Sequence, residues 1–166
     1  MVPRGDMGTQ IIDLRPTELA LESKAGNQIA NFINRNERVP YGDFLLMNDY
    51  IRQYSQEIHR PWPSRKYNCH GLSFAARRTA IESPIEIAKI IADDDYEEVI
   101  ASRVIPGDIA IYYESGDASH SGIVVQMTEL KVPIVLSKWG HCHEVVHHLS
   151  RCPYKSDDIR FYRMRS

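Results

Sequence analysis

The sequence lacks three features that mark large classes of proteins: long apolar runs, a paired set of cysteines and a concentration of basic charge. No run approaches the roughly 18 consecutive apolar residues that a membrane-spanning helix requires, and the N-terminus lacks the apolar centre of a signal peptide. Lysine and arginine (20) nearly balance aspartate and glutamate (22), which gives a net charge of −2. We therefore expect neither a nucleic-acid nor a membrane partner.

The three cysteines are Cys69, Cys142 and Cys152. Their odd number and wide spacing do not suit a disulfide framework, so we expect reduced thiols. Reduced thiols are typical of a cytoplasmic protein. Export by a route that this sequence does not reveal is the alternative.

The first residues contain VPRG, which resembles the remnant of an engineered protease-cleavage site, so residues 1–8 are set apart from the fold. The remaining length suits one compact domain with a sizeable core, and 43% of all residues are hydrophobic. Within this domain we expect an N-terminal helical segment over 9–58, followed by a core over 59–166. The sequence indicates no oligomeric state.

The spacing of apolar residues predicts helices first and strands afterwards. Helices are predicted over 16–36, 44–58, 72–80 and 84–93. A turn and a strand over 105–113 come next, followed by strands over 120–125, 134–139 and 159–164. Helices followed by an antiparallel meander predict an α+β fold.

A cysteine stands at the predicted start of a helix in the stretch YNCHGLSFAARR, residues 67–78. Unpaired backbone N–H groups and the helix dipole stabilise a thiolate there, so Cys69 fits an activated nucleophile. Gly71 has no side chain and would let a bound substrate approach the backbone closely. The N–H of Cys69 is placed to donate to a developing oxyanion. A buried, unreactive thiol is the alternative.

His120 opens the predicted strand HSGIVV directly after a polar turn. A histidine there that faces Cys69 would form a thiolate–imidazolium pair; a histidine that hydrogen-bonds the turn backbone is the alternative. Trp62 lies between the two prolines of a predicted loop, and Tyr67 follows that loop. They are either substrate-binding residues that line the cleft or residues of the core.

Three motifs in order, NCHG, then PGDIAIYY, then SHSGIVV, resemble the papain-like cysteine peptidases of the NlpC type and the related CHAP amidases. The resemblance covers about residues 60–166. It implies a papain-like core in which Cys69 attacks an amide and His120 is the base. A third polar residue on the next strand orients the imidazole in these families, and the matching position is Ser137. Serine departs from the usual His, Asn or Asp, so His141 and His143 are alternatives.

The resemblance implies an amidase or peptidase that acts on a peptide-like amide, such as a peptidoglycan peptide. Cys69 would form a thioester with the acyl group, and His120 would protonate the leaving amine. No metal or cofactor is required for this reaction. A deamidase, an acyltransferase or a toxin would use the same cysteine and histidine, and the sequence does not separate them.

The segment HEVVH, residues 143–147, raises a different hypothesis. It matches H-E-x-x-H, in which two histidines one helical turn apart hold zinc and the glutamate activates water. A zinc metallopeptidase on His143, Glu144 and His147 requires a helix around this motif, whereas the preceding Trp-Gly fits the end of a strand. A binding or immunity-type module that keeps the same scaffold without turnover is a third hypothesis.

Overall fold

The computed structural model describes residues 17–36, 38–54, 57–60 and 63–165. Three helices and seven strands lie within these ranges. In chain order they are α1 (Tyr41–Tyr54), β1 (Glu57–Arg60), α2 (Cys69–Phe74), α3 (Pro84–Asp93), β2 (Tyr96–Val99), β3 (Ile109–Glu114), β4 (Asp117–Met127), β5 (Pro133–Lys138), β6 (Glu144–His148) and β7 (Asp158–Met164). Short 3-10 turns occupy Ala101–Arg103 and Leu149–Arg151.

The seven strands form one sheet in the order β1-β6-β5-β4-β3-β7-β2. Every neighbouring pair runs antiparallel. The central strands β3, β4 and β5 connect directly to their neighbours, which gives the predicted meander. The α+β class is therefore confirmed.

The sheet has two covered faces, and α2 and α3 pack against one of them. Ile87 and Ile90 of α3 are buried with Ile111 of β3 in one apolar cluster. Burial of a side chain of this size contributes about 1.5–3 kcal/mol. On the opposite face, Tyr112 and Val124 belong to a second cluster. Neighbouring strand residues therefore serve different cores, as strand alternation requires.

The predicted strands and the predicted helix over 84–93 are confirmed, because continuous apolar runs and an N-terminal proline mark them clearly. The turn between β3 and β4 is tighter than the predicted polar loop. It consists of Ser115 and Gly116, whose φ values are +53° and +90°. Two successive positive φ values are typical of the two-residue hairpin turns that match strand twist.

The predicted helix over 16–36 is wrong, and with it the helical character of much of segment 9–58. The described part of this stretch doubles back on itself, and the Ile29 N–H donates to the Leu21 carbonyl at 2.8 Å. The chain turns at Gly26, where φ is +81° and glycine avoids the strain of a side chain. Leu21 and Ile29 both pack into the core from this turn.

A buried asparagine explains why the segment does not form a helix. The Asn31 amide nitrogen donates to the carbonyls of Leu19 and Ile29 at 2.9 and 3.0 Å. Its amide oxygen accepts from the Leu19 N–H at 2.9 Å and from the Thr79 hydroxyl at 2.7 Å. The bonds to Leu19 and Thr79 join positions 12 and 48 residues apart, so apolar spacing alone does not reveal them.

The predicted helix over 44–58 occurs as α1, which ends at Tyr54, and the residues Glu57–Arg60 pair with β6 as an edge strand. The helix predicted over 72–80 begins earlier and is shorter. It ends at Phe74, and Ala76 and Arg77 then adopt positive φ values of +48° and +65°. Strands β2 and β6 were not predicted.

Residues 1–8 and Trp62, for which the sequence made predictions, lie outside the described residues. In the part of the chain that the structure describes, no helix combines the length and the apolar character needed to cross a bilayer.

Candidate active site around Cys69

Cys69 is the first residue of α2, and Asn68 holds it there. The Asn68 amide oxygen accepts from the Gly71 N–H at 2.9 Å, which caps the helix. The same oxygen accepts from the Ile81 N–H at 3.1 Å, and the amide nitrogen donates to the Ile81 carbonyl at 2.6 Å. The predicted position of Cys69 at a helix start is therefore confirmed.

Gly71 is required for packing, and its prediction as a substrate-binding residue needs correction. A Cβ atom at this position would lie 1.9 Å from the Thr79 carbonyl oxygen and 3.0 Å from the Tyr67 Cβ. Gly71 itself is buried. The close approach that its missing side chain permits is therefore made by the protein's own backbone and not by a ligand.

The Cys69 thiol lies among backbone N–H groups of α2 and β4. Burial raises the pKa of Cys69 to about 11, although the N–H groups of Ser121, His70 and Cys69 itself favour the thiolate. The sulfur is enclosed by protein, while the residue as a whole keeps partial exposure. The expected lowering of the pKa at a helix start is therefore not met, because loss of water outweighs the N–H donors.

His120 lies on β4 as predicted and is fully buried. Its ring stacks on Tyr154, with 4.0 Å between ring centroids and 11° between planes, and it contacts the Tyr112 ring at 5.4 Å. Neither ring nitrogen has a hydrogen-bond partner among the described residues, the Cys69 sulfur included. Burial, with smaller contributions from two other histidines, lowers the pKa of His120 well below its usual value. The imidazole is therefore neutral at pH 7.

The side chains of His120 and Ser121 point to opposite faces of β4. The Ser121 hydroxyl contacts α2, at 2.9 Å from His70 Nδ1 and 3.0 Å from Ser73 Oγ. Since successive strand residues alternate, His120 is directed to the other face. The Cys69 thiol thus lies close to the backbone N–H of Ser121, the residue that follows His120. The thiol and the His120 imidazole do not form a hydrogen bond.

Ser137, the predicted third catalytic residue, belongs to a different chain of hydrogen bonds. His147 Nδ1 lies 2.9 Å from the His148 carbonyl, which accepts only, so this nitrogen carries the proton. His147 Nε2 therefore accepts from the Ser137 hydroxyl at 2.7 Å, and the Trp139 indole N–H donates to Ser137 Oγ at 3.0 Å. The Ser137 hydroxyl proton is therefore donated to His147, and Ser137 makes no hydrogen bond to His120.

The two alternatives for the third residue also make no hydrogen bond to His120, whose nitrogens are unpaired among the described residues. His143 is buried and meets the Phe44 ring edge-on at 5.8 Å. His141 is partly exposed, and burial together with the charges of Arg65 and Lys138 lowers its pKa. No residue predicted for this role therefore fills it in the described state.

Tyr67 was predicted to line a substrate cleft or to belong to the core, and the structure places it in the core. It is 6% exposed and packs with Leu72 and Leu136. Its hydroxyl donates to Glu144 Oε1 at 2.5 Å. Tyr67 thus links the approach to α2 with the strand β6.

The segment HEVVH does not form the helix that the zinc hypothesis requires. Residues Glu144–His148 form β6. Residues four apart are separated by about 13 Å along a strand, against roughly 6 Å on a helix. Glu144 is fully buried and forms an ion pair with Arg77, with Nε–Oε1 2.6 Å and Nη2–Oε2 3.0 Å. Among the residues described, no three His, Cys, Asp or Glu side chains cluster as a metal site.

Lys138, at the end of β5, was not predicted, although it continues the core-facing alternation of its strand. It is 1% exposed. Its ammonium group donates to the Cys142 carbonyl at 2.7 Å and lies 5.2 Å from the centre of the Tyr67 ring. Its positive charge favours the Cys69 thiolate, though less than the backbone N–H groups do.

A groove of about 610 Å³ opens between the start of α1 and the loop before α2. Tyr41, Phe44 and Arg65 line it, whereas Cys69 and His120 do not. The chemistry of the site therefore lies outside this groove.

No protein-family profile, no curated protein and no solved structure matches this chain. What the protein does is therefore inferred from its residues and their geometry.

Proposed function

We propose that the protein is a cysteine-dependent amidase or peptidase with a papain-like core of the NlpC type. Cys69 is the nucleophile and His120 is the general base. One observation carries the proposal: among the described residues His120 is a fully buried imidazole without a hydrogen-bond partner. It lies one residue from the N–H group that favours the Cys69 thiolate. An unpaired buried polar group reduces stability, so its retention supports a functional role.

The resting pair is neutral, which favours general-base catalysis over a preformed ion pair. With a pKa of about 11, roughly one Cys69 in 10,000 is a thiolate at pH 7. His120 removes the thiol proton as the sulfur bonds to the carbonyl carbon and the carbonyl oxygen gains the electron pair. The Cys69 backbone N–H donates to this oxyanion. The C–N bond then breaks, and His120 protonates the leaving amine.

Water completes the reaction. His120 takes a proton from a water molecule as the water oxygen attacks the thioester carbon. The C–S bond breaks, the acid is released, and the Cys69 sulfur recovers its proton from His120. The balance is one amide and one water consumed, with one carboxylic acid and one amine formed.

Proton transfer requires the His120 ring to reach hydrogen-bond distance from the Cys69 sulfur. Catalytic hydrogen bonds are often long or unformed without substrate and tighten in the reacting complex. The Tyr154 ring, stacked at 4.0 Å, is the side chain that must accommodate this movement. The substrate class follows from the resemblance alone: a peptide-like amide, with peptidoglycan peptides as the first choice.

A second candidate function is a non-catalytic binding module on the same scaffold. The observation that favours it is the combination of a raised Cys69 pKa with the lack of a Cys69–His120 hydrogen bond among the described residues. Such a protein would bind a peptide without forming a thioester.

The test is release of primary amine from purified peptidoglycan peptides and a panel of short peptide amides. We expect Cys69→Ala and His120→Ala to lower the rate at least a thousandfold, because each removes a group that takes part in bond making. Cys152→Ser, which changes another partly exposed thiol, serves as the matched control and retains the rate. Intact-mass detection of an acyl group on Cys69 identifies the thioester.

Amine release that survives in Cys69→Ala would contradict the mechanism. Peptide binding without amine release or an acyl adduct would favour the binding module instead.

A further inference from the structure

The groove of about 610 Å³ between the start of α1 and the loop before α2 takes no part in the proposed chemistry. Its size suits a small ligand or part of a peptide. Arg38 and Arg65 line it, and among the described residues of its lining none carries a negative charge. The groove is therefore positively charged, on a chain whose net charge is −2.

Neither arginine is neutralised by the described part of the protein. Arg38 is exposed, and its guanidinium group forms no ion pair with a described residue. Arg65 is half-buried, and its Nε–H is enclosed by protein without a hydrogen-bond acceptor among the described residues. Asp43, the acidic residue in the first turn of α1, does not line the groove. Both positive charges are therefore left for a ligand.

The unpaired Nε–H of Arg65 is the observation that points to a ligand. A buried donor without an acceptor costs about 1–3 kcal/mol, and more when the group is charged. Such donors are rare in native proteins. Because Arg65 is only half-buried, rotation about its side-chain bonds can turn this edge of the guanidinium group towards the groove. A ligand that accepts from it would supply the missing hydrogen bond.

A carboxylate is the acceptor that matches this edge of an arginine. Its two oxygens accept from Nε and from one Nη in the same plane. The protein forms such a pair elsewhere, where Arg77 binds Glu144 with Nε–Oε1 2.6 Å and Nη2–Oε2 3.0 Å. At the groove, Arg38 adds a second positive charge from the segment before α1.

Most of the remaining lining is apolar. Pro40 and Pro63 have fixed φ angles and no N–H to donate, so they form a rigid wall. The rings of Tyr41 and Phe44 extend this surface, and Tyr41 is 74% exposed. Such a surface packs against methylene groups. A glutamate side chain, with two methylene groups and a terminal carboxylate, therefore matches both the apolar wall and the arginines.

The groove lies close to the candidate nucleophile along the chain. Arg65 precedes Cys69 by four residues, so their Cα atoms are at most about 14 Å apart. An extended peptide covers this distance in about four residues. A peptide with its scissile amide at Cys69 is therefore long enough to place an acidic side chain in the groove.

The turn between β5 and β6 connects the groove with the proposed base. Phe44 lines the groove and contacts the His143 ring at 5.8 Å. In the same turn, the Gly140 N–H donates to the Tyr154 hydroxyl at 2.6 Å. Tyr154 in turn stacks on His120. One short turn thus contacts both a wall of the groove and the ring that covers His120.

We propose that this groove binds a carboxylate of the substrate, so that the protein prefers peptides with a glutamate or aspartate within about four residues of the scissile amide. The inference rests on the proposed function, which supplies the peptide nature of the ligand. Arg65 and Arg38 bind the acidic side chain and take no part in the making or breaking of bonds.

The probes are acetyl-pentaglutamate amide and acetyl-pentaglutamine amide, which have the same length and nearly the same shape but differ in charge. Isothermal titration calorimetry of the full chain at pH 7 and about 150 mM salt gives their dissociation constants. We expect the glutamate peptide to bind about tenfold more tightly or more. Amine release shows whether a peptide is hydrolysed during the titration, and the Cys69→Ala chain is then used for both peptides.

Arg65→Met should weaken binding of the glutamate peptide about tenfold or more, because it removes the planar pair of donors. Arg65→Lys keeps the charge without that geometry and should retain part of the affinity. Arg38→Met should have a smaller effect, since Arg38 is the more exposed of the two. The matched control is Arg52→Met, because Arg52 lies on α1, pairs with Asp49 and does not line the groove. That variant should bind as the wild type does.

Equal affinity of the wild-type chain for the two peptides overturns the inference, and this result does not depend on any variant folding. So does an Arg65→Met chain that binds the glutamate peptide as tightly as the wild type, or an Arg52→Met chain that loses as much affinity as Arg65→Met. Binding needs no turnover, so a preference for the glutamate peptide without amine release contradicts the proposed function alone. Amine release with equal kcat/KM for the two peptides contradicts this inference alone.

Discussion

Replacing Arg77 by methionine removes the guanidinium group from a carboxylate that has no contact with solvent. The Arg77 side chain is 30% exposed and the Glu144 side chain 0%. Two hydrogen bonds of 2.6 and 3.0 Å are lost, and the buried Glu144 carboxylate loses its ion pair with the guanidinium group. Removal of one partner from a buried pair destabilises a protein by about 3–5 kcal/mol. We expect the free energy of unfolding to fall by about that amount.

The assay is urea unfolding at pH 7 followed by circular dichroism. The matched control is Arg52→Met, which breaks an ion pair with Asp49 whose side chains are 75% and 70% exposed. That change should cost at most about 0.5 kcal/mol. In a double-mutant cycle, Glu144→Gln should restore part of the loss caused by Arg77→Met, because it removes the buried carboxylate charge that the guanidinium group had stabilised. Equal losses in Arg77→Met and Arg52→Met would refute the reasoning.

Two further predictions concern stability. Gly71→Ala should destabilise by about 3 kcal/mol or more in urea unfolding, because its Cβ would overlap a backbone carbonyl at 1.9 Å. Gly42→Ala, in helix α1 with open space around it, should instead be neutral or stabilising by up to about 1 kcal/mol, and the opposite order would contradict the packing. Burial lowers the pKa of both His70 and His147 to about 4 from 6.5. As pH falls, these histidines are protonated at higher pH in the unfolded chain than in the folded protein. The stability that the neutral rings contribute is therefore complete above pH 6.5 and is lost as pH falls towards 4. The loss at pH 5 is about 2 kcal/mol per histidine. Urea unfolding at pH 7 and pH 5 measures this, and a stability that does not fall would rule out neutral buried rings.

The elements that the sequence predicted well are those whose signal is local. Residues 84–93 carry a proline at the first turn and an apolar face, and β3, β4 and β5 each contain an apolar run. The stretch over 17–36 has apolar residues at helical spacing, but its conformation depends on the bonds of Asn31 to Leu19 and Thr79. A long-range contact of this kind leaves no periodic signal.

The candidate site also has features that local sequence patterns predict and features that depend on long-range contacts. The start of a helix at Cys69 and the strand position of His120 follow from local patterns, and both are confirmed. Which face a strand residue occupies depends on register, and a shift of one residue reverses it. A bulge between Tyr112 and Tyr113 changes the pairing of β3 with β4 directly beside His120. The relation between the thiol and the imidazole was therefore beyond sequence reasoning, and so was the burial of Lys138.

The hydrogen bonds of the Asn68 amide have a consequence for how Cys69 is held in place. The amide oxygen accepts from two N–H groups and the amide nitrogen donates to one carbonyl. All three hydrogen bonds require the same orientation of the amide. An aspartate could accept the two N–H groups but would oppose the carbonyl of Ile81 with a second acceptor. The position of Cys69 at the start of α2 thus depends on the amide of its neighbour, and Asn68→Asp would place a carboxylate oxygen against the Ile81 carbonyl.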